Sequence, residues 1–190
     1  GRTLAASSGS ARSGARVELY NASDTFLSST TTDVSGAYSF SGLSLSTTYK
    51  VRVVNSTVTS SLGGTNLIPV QTFRTTATTG SAVAVTDRVG GEDPTKADQG
   101  NGSTTLPATT GTLTVQSITS VAIGMNDITG LNFGYNFNTI VNTNDTGQGS
   151  LRQMITNANG MTGTQTTQFM ISGGSAVNGL RAGLTNQLTS

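Results

Sequence analysis

From Ala15 to Val54 the apolar residues of this chain recur at every second position, the period of a strand with one buried face. In Arg16–Tyr20, Val17 and Leu19 alternate with Arg16, Glu18 and Tyr20, which predicts a half-buried strand; residues 21–24 then turn the chain. A second strand is expected over 25–31. Asp33, Val34, Ser35 and Gly36 form a turn whose glycine can take positive φ. Residues 37–40 read as a third strand with Tyr38 and Phe40 on one face, and residues 49–54 as a fourth. Tyr49, Val51 and Val53 are expected to share a core with Val17, Leu19 and Phe40. Four strands joined by short turns predict an antiparallel meander or sandwich.

The alternation loosens over 56–113, where Gly63-Gly64, Gly90-Gly91 and the stretch 94–102 suggest a loop-rich insertion or short edge elements. Two strands are expected inside it. One spans 67–73, demoted to a sheet edge by Pro69, which cannot donate to a ladder; the other spans 82–89. The strongest alternation is Leu131, Phe133, Tyr135 and Phe137. After a turn at 144–149, the one helix expected runs from Ser150 to about Ala158. Ser150 and Gln153 have capping-box spacing, Leu151, Met154 and Ile155 form an apolar face, and Asn159-Gly160 gives a stop. A last strand is expected at 167–171. The fold class is therefore mainly β, an antiparallel sandwich with long loops. Its organisation is a polar arm (1–14), a β-sandwich module (15–138) and a linker with a short capping helix leading into a β-rich C-terminal region (139–190).

Composition narrows the chemistry. Charged residues are 10% of the 190 and hydrophobic ones 34%, so Thr, Ser, Asn and Gly carry the polar surface. A net charge of +1 with scattered arginines offers no footprint for nucleic acid. No apolar run approaches the roughly 20 residues of a membrane span. Cysteine and histidine are both absent, which removes disulfides, thiolate metal sites and the commonest general base. Opening on Gly1 without methionine reads as a processed product or a piece of a longer protein.

The remaining candidates have plainer readings. Gly147 and Gly149 open a helix, but Arg152 stands where a dinucleotide loop needs its third glycine, so a turn with an N-cap is favoured. Asp87, Glu92, Asp93 and Asp98 could hold calcium; without alternating ligand spacing a solvated loop is favoured. Asn21, Asn55, Asn101 and Asn144 head glycosylation sequons of the kind that arise by chance in such a composition. Tyr20, Phe26, Tyr38, Phe40 and Tyr49 read as core rather than a ligand platform. No catalytic, cofactor-binding or metal-ligating residue is assigned.

The run from Thr32 to Leu43 (TDVSGAYSFSGL), followed by Tyr49 to Val53, resembles the prealbumin-like β-sandwich modules of bacterial surface adhesins, the collagen-adhesin B-type and serine-aspartate-repeat B-type domains. Phe133-Gly134 is similar to their closing strand, so the resemblance covers roughly residues 15–137. The segment from Ile140 to Gln153, with Asn157-Ala158-Asn159 after it, resembles the lead-in of large secreted proteins that continue into a parallel β-helix, where the short helix caps the first coil. Two departures limit the transfer. The acidic calcium loop is replaced by Ser7 to Gly14, and the first strand lacks the lysine of an isopeptide crosslink, the only lysines being Lys50 and Lys96. The resemblance implies a non-enzymatic, extracellular structural or adhesive segment at a bacterial cell surface, associating with itself into a homopolymer or fibre. The alternatives are a module that binds a surface glycan or host protein through the 56–113 loops, or an accessory domain of a β-helical polysaccharide enzyme.

Overall fold

The structure, a computed structural model, describes residues 9–78, 80–85 and 88–170. Its largest sheet contains β1 (Arg16–Asn21), β2 (Phe26–Thr31), β3 (Thr47–Val53) and a later strand, Ser117–Ile123, in the antiparallel order β2, β1, β3, Ser117–Ile123. Register places Val17 opposite Val53 and Leu19 opposite Val51. The expected common core therefore forms: Val17, Leu19, Tyr49, Val51, Val53 and Val121 are buried together, with Phe40 packed against them.

A second, three-stranded sheet is built on β4 (Val70–Thr76), with β5 (Val83–Ala84) on one side and Phe133–Asn136 on the other. Two short parallel pairs complete the β structure. One joins β6 (Ala97–Asp98) to β7 (Leu113–Thr114). With Ser117–Ile123 as β8 and Phe133–Asn136 as β9, the other joins β10 (Thr139–Ile140) to β11 (Gln168–Phe169), connected through the helix α1 (Leu151–Gly160). The two larger sheets meet along β8: Ala122 N–H donates to Ala77 O at 2.9 Å and Thr76 Oγ1 to Ser120 O at 2.8 Å. Leu131, Phe133 and Tyr135 cover the core from the second sheet.

Three expectations are corrected, and one strand was missed. Residues 37–40 form no strand: Asp33 and Gly36 close a turn in which Gly36 takes φ 75°, and Tyr38 and Phe40 reach the core as side chains without a ladder. The strand expected at 67–73 begins after Pro69, at Val70, and is central in its sheet, because a proline at strand entry leaves every later N–H free to pair. The strand β8 was not expected at all. Glu18, read on the open face of β1, is fully buried, because residues 97–102 lie over it; Tyr20, read as core, is buried on that same far face.

The helix forms with its predicted N-cap but runs through Asn159 and Gly160, which were expected to stop it. Ser150 Oγ accepts the Gln153 N–H at 3.1 Å, while the Gln153 side chain turns to Asn157 instead of closing the capping box. Its apolar face is split. Met154 and Asn157 are buried and Leu151 and Ile155 stay exposed, because Asn157 fixes the inward face by donating to Ile68 O (2.8 Å) and Phe137 O (2.9 Å) and accepting from Ile68 N–H (3.0 Å). Of the strand expected at 167–171, residues 168 and 169 are extended and Ile171 lies outside the described residues, as do residues 1–8 of the arm and residues 86 and 87 of the span 82–89. Among the described residues no helix is long and apolar enough to cross a membrane.

Candidate functional site: an open sheet edge and a buried charge staple

Two places concentrate polar chemistry. The first lies on the far face of the large sheet, where the pairing of Glu18 with Arg52 across β1 and β3 sets a carboxylate against a guanidinium. Glu18 Oε2 accepts from Arg52 Nη1 at 3.0 Å and from the Tyr20 hydroxyl at 2.5 Å; Oε1 accepts from Arg16 Nε at 2.8 Å and from Gly102 N–H at 3.0 Å. Arg52 also donates to Gly100 O at 2.9 Å and Gln99 O at 2.5 Å, and Asp98 stands 3.5 Å from its Nη2. Glycine is required at 102, since a Cβ there would overlap the Tyr20 hydroxyl. Burial, then the Glu18 carboxylate, push the Tyr20 hydroxyl well above the ordinary tyrosine range. Burial likewise raises the Asp98 carboxyl, against the opposing pull of Arg52 and of the N–H groups of Gln116 and Asn55. Glu18 and Arg52 expose none of their surface, so this cluster has no route to a substrate and works as a staple holding 97–102 to the sheet.

The second place is a groove of about 770 Å³ beside β9. In the sheet order β9 has β4 on one side only. Thr75 N–H donates to Asn132 O at 2.9 Å, so Asn132 faces β4; by the alternation of an antiparallel ladder, Phe133 and Tyr135 turn their main-chain groups toward the groove. All four residues of β9 are half-buried, without the in-and-out contrast of a covered strand. The groove reaches core side chains Ala15, Val53 and Val58, while its outer wall is Gly9, Ser10, Ala11 and Gly36. Hydrogen bonds tie several of its lining residues together. The Tyr38 hydroxyl donates to Leu131 O at 2.9 Å, Ser60 Oγ meets Met161 Sδ at 3.2 Å, and Thr162 N–H donates to Leu62 O at 3.1 Å.

The candidates from the sequence scatter. Glu92 pairs with Arg74 and stands 3.5 Å from Arg88 Nε; Asp93 caps the turn to Thr95 and faces Lys96; Asp98 belongs to the staple; Asp87 lies outside the described residues. Among the described residues no group of three acidic, histidine or cysteine side chains could hold a metal. Gly147 and Gly149 take φ 88° and 79° in the turn before Ser150, as a turn with an N-cap requires. Asn55 is buried, accepting from Ser117 Oγ at 2.6 Å, so its sequon is not presented to solvent in the folded chain. Tyr38, Phe40 and Tyr49 pack on the core, whereas Tyr20 packs edge-on to Phe26 at 5.7 Å on the opposite face. Lys50 forms an ion pair with Asp24.

The staple and the groove were both missed from the sequence. A glutamate and an arginine in facing strands gave the only advance signal of the first. The second depends on which strand ends a sheet. Comparison with family models, curated proteins and solved structures finds no match for this chain.

Proposed function

We propose that the chain is a non-enzymatic structural and adhesive segment of an extracellular bacterial surface protein: a prealbumin-like β-sandwich module that associates with copies of itself into fibres through β-strand contacts. The observation that carries this reading is the groove at β9, where a strand edge, small side chains and core residues lie open together. A surface of that composition reads main chain rather than a particular side chain, and an open edge is a template for another strand. The antiparallel sheets around the larger of two apolar clusters support the sandwich assignment, and the parallel β10–β11 pair joined through α1 supports a lead-in to further parallel coils. The staple weighs against the 56–113 segment as a set of free recognition loops, because Glu18, Arg52 and Gln116 fasten its second half: Gln116 Nε2 donates to Asp93 O and Lys96 O, both at 2.6 Å. Electron microscopy of the unfixed, purified chain at neutral pH tests the proposal. Ordered filaments are expected; discrete monomers at every concentration would overturn it.

A further inference from the structure

We propose that Asn101-Gly102 is a site of spontaneous covalent modification, deamidation with rearrangement of the main chain, which the Glu18 staple holds in check and which, once it has occurred, keeps the staple from closing again. This holds whether or not the chain assembles.

The chemistry needs only the pair itself and water. The Gly102 nitrogen attacks Cγ of the Asn101 carboxamide; the new N–C bond forms, the Cγ–Nδ2 bond breaks, and Nδ2 leaves as ammonia with the proton that Gly102 has lost, closing a succinimide ring. Water then opens the ring at either carbonyl, giving aspartate or isoaspartate, with no oxidation or reduction. Glycine in the second position makes the step easy, since no Cβ stands between its nitrogen and the carboxamide. The chain has three such pairs, Asn101-Gly102, Asn159-Gly160 and Asn178-Gly179, the last outside the described residues.

In the fold the two reacting groups of Asn101-Gly102 are turned apart. Asn101 is exposed and Gly102 is buried. The Gly102 N–H donates to both oxygens of the Glu18 carboxylate, at 3.0 and 3.2 Å, so it is aimed into the cluster and away from solvent. The flanking peptides are clamped as well: Arg52 Nη1 donates to Gly100 O at 2.9 Å and Arg16 Nη2 to Gly102 O at 3.4 Å. Charge adds to geometry. Attack develops negative charge on the Gly102 nitrogen as its proton leaves, and a carboxylate at that distance opposes a like charge. A hydrogen bond to an ionised acceptor shifts an equilibrium by roughly tenfold or more, so the reaction is confined to the fraction of molecules in which the staple has opened.

The isoaspartyl product does not fit back. It adds one main-chain carbon ahead of Gly102, and there is no slack to absorb it: even a Cβ on Gly102 would overlap the Tyr20 hydroxyl and lie 3.2 Å from Glu18 Oε2. The modified segment therefore stays off the sheet, leaving Glu18 without the Gly102 N–H and Arg52 without the carbonyls of Gln99 and Gly100.

The test incubates the full chain, Glu18→Ala and Glu18→Gln at mildly alkaline pH, in buffer and in urea, and follows each Asn-Gly pair by peptide mapping. Asn159-Gly160, which belongs to α1 and not to the staple, is the internal reference. In buffer, Asn101 of the full chain is expected to react at least about tenfold more slowly than in urea, and Glu18→Ala to recover most of that difference at Asn101 while Asn159 keeps its rate. The isoaspartyl chain, separated by ion exchange, is expected to melt below the unmodified chain. Equal rates at Asn101 in buffer and in urea would overturn the protection, as would an Asn101 that stays slow, or slows further, when Glu18 is replaced. Where Glu18→Ala loses its circular dichroism, Glu18→Gln, which keeps the volume and removes the charge, decides by the same comparison. An isoaspartyl chain that melts with the unmodified one would overturn the one-way release.

Discussion

Replacing Glu18 tests the staple, because every group that meets its carboxylate is a donor: Arg16 Nε, Arg52 Nη1, the Tyr20 hydroxyl and Gly102 N–H. In Glu18→Ala the buried Arg52 keeps Asp98 at 3.5 Å and the carbonyls of Gly100 and Gln99, while Tyr20 and Gly102 lose their acceptor. Removing one partner of a buried pair costs about 3–5 kcal/mol, and the surviving partners of Arg52 place this case near the low end, about 3 kcal/mol. For a chain of this size that is a fall in Tm of roughly 6–12 °C. Glu18→Gln does not rescue it, because the new amide NH2 points at a donor; a loss of about 2 kcal/mol remains. The control is Asp24→Ala, which breaks the half-exposed pair with Lys50 and costs about 0–1 kcal/mol. Urea and thermal unfolding followed by circular dichroism measure all three. If Glu18→Ala lies within about 1 kcal/mol of the control, the buried staple does not hold the fold as argued.

Tyr20, Tyr38 and Tyr135 all have their hydroxyls pushed above the ordinary value near 10, mainly by burial. Above that value the unfolded chain releases protons the folded chain keeps, so stability falls as pH rises past about 10. Phenolate absorbance from three of the four tyrosines should therefore appear together with unfolding; their titration in a chain that keeps its circular dichroism would contradict their burial. Ser150→Ala removes the helix N-cap and is expected to lower stability by about 1 kcal/mol in urea titration, with the loss confined to α1 in amide exchange. Gly102→Ala places a Cβ on the Tyr20 hydroxyl and should destabilise by about 2 kcal/mol, whereas Gly100→Ala, with open space around it, should change stability by less than about 1 kcal/mol in the same assay.

The sequence was most informative where alternation and turn chemistry agree. Val17, Leu19, Tyr49, Val51 and Val53 fall on one face by period alone, and the pairing of β1 with β3 places them together. The same rule misread Glu18, because it assumes that a sheet has one wet face; here residues 97–102 return to cover the second. In β8, Ser117, Thr119, Val121 and Ile123 share a face and only the last two are aliphatic, so the apolar stripe is too short to announce the strand. Its burial comes from lying between β3 and β4, a tertiary fact. Tyr38 and Phe40 alternate as a strand would but have no neighbour to pair with, and the groove exists only because β9 ends its sheet.

The staple also bears on the order in which the chain becomes ordered. Glu18 waits for Gly102, 84 residues later, and Tyr38 for Leu131, 93 residues later, while β3 meets its outer neighbour only when Ser117–Ile123 has been made. Contacts so distant along the chain place folding in the slow, millisecond-to-second range of β proteins. During that interval the far edge of β3 is uncovered on a growing chain, the situation in which strands of different molecules pair.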